Sequence, residues 1–241
     1  MVVNFAHRGA SGYYPENTMI AFEWAYKMGA DGIETDVQMT KDGVLILFHD
    51  EMVNRTTDGV GFIKDYTYNE LNKLDAGKWF SNEFIGIKIP SVEEVLSYFK
   101  NKETAINFEI KNSVIDYKEI EEKLIDVIVN YNMENRVILS SFNHVSMVKC
   151  KKINKNIKTA LLVEEKLYCP ENYVKTALAD GIHPHYYSIN KETIRNIKKE
   201  GLFINTYTVN DANYMRYFIQ GGVDGIITNY PDKLKKVIEQ S

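Results

Sequence analysis

Apolar positions recur with two periods along this chain. From residue 105 onward, short β-like runs alternate with stretches of helical spacing. The strand pattern falls at 105–110, 137–141, 157–163, 182–187, 203–208 and 223–228. Helical patterns follow them at 117–130, 145–151, 172–179, 191–199, 212–219 and 232–238. Upstream, residues 2–7 read as a strand and 19–28 as a helix. That helix is opened by Asn17 or Thr18 and stopped by Gly29. Ser91 caps a further helix over 92–99, with Glu93 and Glu94 in its first turn.

The densest stretch is 31–50, DGIETDVQMTKDGVLILFHD. Glu34 and Asp36 are two residues apart in a β-like run, so both point to one face. Thr40-Lys41-Asp42-Gly43 is a tight turn, and an apolar run over 44–48 returns to His49-Asp50. So short a link joins antiparallel strands only. Folding about Lys41 and Asp42 places His49 roughly opposite Glu34. Residues 51–90 fit no simple βα unit. Polar turns, a short helix at 69–74 and the pair Trp79-Phe80 suggest an insertion that overhangs the rim.

Nine strand patterns result, one of them the antiparallel return strand. Eight parallel strands with intervening helices make a (β/α)₈ TIM barrel, whose usual size of about 250 residues matches this chain. The expectation is one domain over 1–241, with the insertion at about 51–90. A doubly wound open sheet is the alternative, but the first βα turn lacks G-x-G-x-x-G.

In a TIM barrel the active site lies at the C-terminal strand ends. Those ends carry His7 and Arg8, Glu34 and Asp36, then Glu109 and Lys111. Later ends offer Ser140, Ser141, Glu164, His185, Tyr207 and Asn229. Glu34, Asp36 and Glu109 present oxygens only, which suits Mg²⁺ or Ca²⁺ rather than zinc. The plainer reading pairs them with Lys111 and Arg8 as structural ion pairs. His7 and His49 are ligands, acid–base groups or satisfied core residues. Arg8 and Lys111 fit a phosphate or balance the acids. His183-Pro184-His185 has metal-like spacing but no carboxylate partner, which favours a place in a loop or at the rim. Trp79, Phe80, Phe84 and Tyr207 line a cleft or simply pack. His144 reads as a solvated helix residue.

Composition narrows the class. Of 241 residues, 44% are hydrophobic and 26% charged, as in ordinary globular domains. A net charge of −4 does not suggest nucleic acid or an anionic membrane as partner. Cys150 and Cys169 lie on no metal-like spacing, and no apolar run approaches the ~20 residues that span a bilayer. The expected setting is cytoplasmic, and oligomeric state is not encoded in any pattern here.

Several short motifs together resemble the glycerophosphodiester phosphodiesterases. They are His7-Arg8-Gly9-Ala10, Pro15-Glu16-Asn17-Thr18, Glu34-x-Asp36-Val37, Thr40-x-Asp42-Gly43 and His49-Asp50. Further on come Arg55-Thr56-Thr57, Leu74-Asp75-Ala76-Gly77, Ile89-Pro90, Glu109-Ile110-Lys111 and Thr208-Val209-Asn210. The resemblance implies hydrolysis of a small glycerophosphodiester to glycerol 3-phosphate and an alcohol. It implies His7 and His49 as the acid–base pair, and Glu34, Asp36 and Glu109 as ligands of a divalent cation. Arg8 and Lys111 would contact the phosphate. Tyr207 stands where the family usually has Trp, at the alcohol pocket. Two other classes remain: a lysophospholipase-D-like or phosphatidylinositol-phospholipase-like phosphodiesterase on the same barrel, and a non-catalytic binding barrel. Ser11, Ser140 and Ser141 are paired with no base by motif, so water or the substrate's own glycerol hydroxyl is the expected attacking group.

Overall fold

The computed structural model describes residues 2–241. Its elements run β1 (Val3–His7), α1 (Met19–Lys27), β2 (Gly32–Met39), β3 (Leu45–Leu47), α2 (Tyr68–Leu71), α3 (Val92–Phe99), β4 (Ala105–Ile110), α4 (Ile120–Asn130), β5 (Val137–Ser141) and α5 (His144–Ile153). They continue with β6 (Lys158–Val163), α6 (Pro170–Thr176), β7 (Gly181–Pro184), α7 (Lys191–Lys199), β8 (Phe203–Thr206), α8 (Ala212–Gly221), β9 (Gly225–Thr228) and α9 (Pro231–Glu239). β1, β2 and β4 to β9 pair in parallel, and β1 bonds β2 to close the ring. This is the expected TIM barrel. β3 pairs antiparallel with β2 and lies outside the ring.

Local chemistry sets the element ends. Thr18 caps α1, and Ser91 with Glu94 forms a capping box on α3. Asp211 accepts from the first amides of α8. Phe22, Val95, Leu96, Ile125, Met147, Ile194 and Phe218 bury the helices' apolar faces on the barrel. Gly9 sits at φ 81°, and a Cβ there would lie 2.6 Å from the Ala21 carbonyl carbon. No other residue allows α1 to pack so close to the first catalytic-face loop. None of the described helices is long and apolar enough to cross a membrane.

Five expectations shift. The hairpin register is one residue off: Val37 pairs with Leu47, which places Thr35, not Glu34, level with His49. Gly43 is left-handed at φ 82°, and Thr40 N–H bonds Val44 O at 3.0 Å, so the loop has three residues rather than two. The helix expected at 117–130 begins at Ile120, because Glu119 is itself left-handed. The helix expected at 172–179 runs Pro170–Thr176, opened by a proline in its first turn. The strand expected at 182–187 ends at Pro184, which cannot donate to a ladder, and Tyr186–Ser188 turn into a 3₁₀ helix. His183 is therefore not in a loop or at the rim. It is fully buried in β7, with its Nε2 3.0 Å from Asn205 Nδ2.

The insertion has a small core of its own. Val53, Ile63, Leu71, Ala76 and Ile89 pack with Phe48 and with Ile46 of β3. Trp79, Phe80 and Phe84 form an aromatic group with Tyr14, which stacks on Trp24 of α1. These three rings brace the insertion and lie among packing partners.

Candidate active site

The barrel's register gathers the acidic residues. His7 lies level with Glu34, and Asp36 with Glu109. Glu34, Asp36 and Glu109 are buried, and each offers a carboxylate oxygen within 4.8 Å of the others. Close like charge is costly in so dry a place. Burial, then the charges of Asp36 and Glu109, push the Glu34 carboxyl well above its ordinary range. Burial and Asp36 raise Glu109 in the same direction. Burial would raise Asp36 too, but Arg8, Lys111 and His49 outweigh it and hold the group well below the usual carboxylate range.

Two cations answer three acids. Arg8 Nε lies 3.2 Å from Asp36 Oδ2, and Lys111 Nζ donates to Glu109 Oε1 at 2.8 Å. Asn17 Nδ2 donates to Asp36 Oδ2 at 2.8 Å, and Asn17 is itself held by Thr35. Asp36 Oδ1 is buried with no hydrogen-bond partner, and Lys111 Nζ is 3.9 Å away. An orphaned carboxylate oxygen inside a cluster of oxygen donors fits a hard cation.

The histidines flank this cluster. His7 Nδ1 meets Asn229 Oδ1 at 2.7 Å, and Nε2 lies 3.9 Å from Glu34 Oε2. Burial, then the Arg8 guanidinium, pull the His7 imidazole down to about 4, so it is neutral at neutral pH. His49 Nδ1 meets Asp50 Oδ1 at 2.7 Å, which frees Nε2 to exchange a proton. The Asp50 carboxyl itself is held at about 2, because hydrogen bonds from Arg55 and His49 outweigh its burial. Arg55 donates to Asp50 and to Glu16, and Arg8 Nη1 donates to the same Glu16 at 2.8 Å. A single chain of charges thus runs from the insertion to both sides of the site. Arg8 is left-handed at φ 54°, a conformation uncommon for a residue with a side chain.

All eight residues singled out by motif lie on the C-terminal rim or on the loops that follow it. Tyr207 stands apart from the histidines: its hydroxyl donates to Val163 O at 3.1 Å, and its ring meets His185 and Phe142. From sequence, Glu16, Asp50 and Arg55 had no separate role, Asn17 only a possible helix cap and Asn229 only a strand-end position, although four of the five sit inside the matched motifs. Their partners lie up to 222 positions away, so only the fold reveals the contacts. His144 is not simply solvated, since it bridges Tyr173 and the Leu162 carbonyl. Both cysteines are free.

Known proteins share this design. Residues 7–233 match the model of the glycerophosphoryl diester phosphodiesterase family. A glycerophosphodiester phosphodiesterase of Caldanaerobacter subterraneus is 45% identical, over 98% of this chain and 97% of its own. One from Bacillus altitudinis is 44% identical, over 98% of each. A phosphodiesterase of Oleispira antarctica, solved with sn-glycerol-3-phosphate, superposes with a TM-score of 0.87. It is 29% identical and is covered over 97% of its chain, against 99% of this one. The chain belongs to the glycerophosphoryl diester phosphodiesterase family and is an enzyme of that family.

Proposed function

We propose that this rim hydrolyses a glycerophosphodiester to sn-glycerol 3-phosphate and an alcohol, with Mg²⁺ or Ca²⁺ held by Glu34, Asp36 and Glu109. The carrying observation is the buried three-carboxylate cluster with its unpartnered Asp36 oxygen, set between two imidazoles and two cationic side chains. The Oleispira structure, solved with the glycerol phosphate half of such a substrate, supports the same reading. Bound there, a divalent cation supplies Lewis-acid neutralisation of phosphoryl charge and lowers the pKa of a coordinated hydroxyl.

The chain's own groups do the rest. Arg8 and Lys111 bind and orient the phosphate, Arg8 as a fork and Lys111 as a point charge. None of the three candidate serines is paired with a base. Ser11 Oγ donates to His7 O, Ser141 Oγ to Ile110 O, and Ser140 Oγ is buried without a partner. The attacking group is the substrate's own glycerol 2-hydroxyl, whose tether provides effective molarities of ~10⁵ M or more. One histidine takes that proton as the new O–P bond forms. The other protonates the departing alcohol oxygen as its P–O bond breaks. Water then opens the 1,2-cyclic phosphate, and the two imidazoles exchange roles.

Two results test this reading. The metal-loaded enzyme should release glycerol 3-phosphate from glycerophosphocholine, glycerophosphoethanolamine or glycerophosphoglycerol. Cleavage of lysolipids alone would overturn the assignment. A substrate lacking the 2-hydroxyl should bind yet turn over at least ~10²-fold more slowly. Cleavage of it at the normal rate would make water the direct nucleophile.

The charge chain makes a further prediction. Arg55→Ala leaves Asp50 free to move, and a misplaced His49 costs up to ~10²-fold in rate. We expect kcat to fall by ~10-fold or more with KM little changed, and Arg55→Lys to recover part of it. An unchanged kcat would remove Arg55 from the machinery.

A further inference from the structure

β2 carries one more inward-facing polar side chain than the chemistry above uses. Glu34, Asp36 and Gln38 occupy alternate positions of the strand and so share its barrel face. Gln38 is fully buried. A buried amide is costly unless its donors and its acceptor are met. Here every partner belongs to one of two rim loops. Nε2 donates to Phe48 O at 3.2 Å, to His49 O at 3.0 Å and to Asp50 O. Oε1 accepts from the Tyr117 hydroxyl at 2.8 Å.

These bonds make Gln38 and Tyr117 a strut beneath His49. The chain leaves strand geometry after Leu47, and Phe48 N–H still bonds Asp36 O at 2.9 Å. Among the described residues, no backbone N–H reaches the carbonyls of Phe48, His49 or Asp50. The three carbonyls turn instead to one amide nitrogen, whose two hydrogens are shared among them. An amide can sit either way round, and its partners decide which. Carbonyls only accept, so they require the nitrogen, and the Tyr117 hydroxyl then meets the oxygen. Tyr117 is itself buried, in the loop between β4 and α4 that Lys111 begins. Asp50 sets the direction of the His49 ring through Nδ1. Gln38 sets the position of the backbone from which that ring hangs.

Resting on the role of His49 proposed above, we propose that Gln38 and Tyr117 are positioning residues for the reaction, fixing the His49 backbone and with it the imidazole relative to the Glu34–Asp36–Glu109 cluster. Both act through His49 rather than on substrate. Their contribution to turnover should therefore vanish once the imidazole is removed.

The test is a pair of double-mutant cycles on the metal-loaded enzyme, using the best substrate of the three glycerophosphodiesters named above. Gln38→Met keeps the length of the side chain and removes the amide. A catalytic group displaced by ~1 Å loses up to ~10²-fold, so kcat should fall by ~10-fold or more with KM little changed. Tyr117→Phe removes a single hydroxyl and should lower kcat by ~3–10-fold, the worth of one hydrogen bond. Placed in His49→Ala, either change should cost less than about twofold more. Urea midpoints report folding separately from turnover. A lowered midpoint with unchanged kcat in both variants overturns the proposal, because the amide then serves only stability. So does an equal fold-loss with and without the His49 imidazole, because the pair then acts elsewhere. If Gln38→Met does not fold, Tyr117→Phe decides by the same two comparisons. A wild-type kcat in His49→Ala overturns the reading of His49 itself, and this proposal falls with it.

Discussion

His7→Ala and His49→Ala should each lower kcat by ~10²–10⁴-fold, the usual worth of one positioned acid or base. The two imidazoles are held differently. Asn229 fixes His7 through a neutral hydrogen bond, while Asp50 fixes His49 through a carboxylate. Neither is among the three carboxylates that form the cluster, so cation binding should survive both changes. Cation binding is read independently of turnover, as a rise in thermal stability on adding Mg²⁺ or Ca²⁺. If each imidazole serves both steps in turn, as proposed, the double variant should be little slower than the slower single one. Strictly multiplicative losses would mean that the two act independently.

Asp36→Asn should cost more than activity. Asp36 is the shared counter-charge of Arg8 and Lys111, and its side chain is almost wholly buried. Removing one partner of a buried pair typically costs about 3–5 kcal/mol, because the other charge is left uncompensated. The offsetting gain is relief of repulsion with Glu34 and Glu109. We expect a clear drop in the urea midpoint, kcat lower by ~10³-fold, a few kcal/mol of lost charge stabilisation, and no stabilisation by added cation. Glu109→Gln removes one of the three proposed ligands but leaves Asp36 facing both cations. It should lose the cation response with a smaller drop in the urea midpoint. Wild-type protein at a cation concentration 100 times its Kd gains ~2.7 kcal/mol by linkage. A variant with the full gain would keep its cation elsewhere.

The strand and helix rhythm after residue 105 was enough to reach the barrel, because each βα unit carries its own periodicity and caps. The carboxylates were within reach for a related reason. Glu34 and Asp36 share a strand face by spacing alone, and barrel topology puts their strand's end beside that of Glu109. What sequence could not supply was the long-range pairing. Glu16 and Arg55 are 39 positions apart, in two separate motifs, and only the fold shows that they pair. Gly43 adds one residue to the hairpin loop by taking a left-handed conformation, and that shifted the register by one. Pro184 inside the strand pattern at 182–187, with no carboxylate partner near, argued for a loop or rim place for His183. The strand instead runs to Pro184, and the ring is buried against Asn205.

If the Glu34–Asp36–Glu109 cluster works through a bound divalent cation, activity depends on that cation. The most direct measurement is release of sn-glycerol 3-phosphate from a glycerophosphodiester by protein stripped with a chelator, before and after Mg²⁺ or Ca²⁺ is returned. The stripped protein should give no detectable product, and turnover should recover when the cation is restored. Full turnover by the chelated, metal-free protein would contradict it.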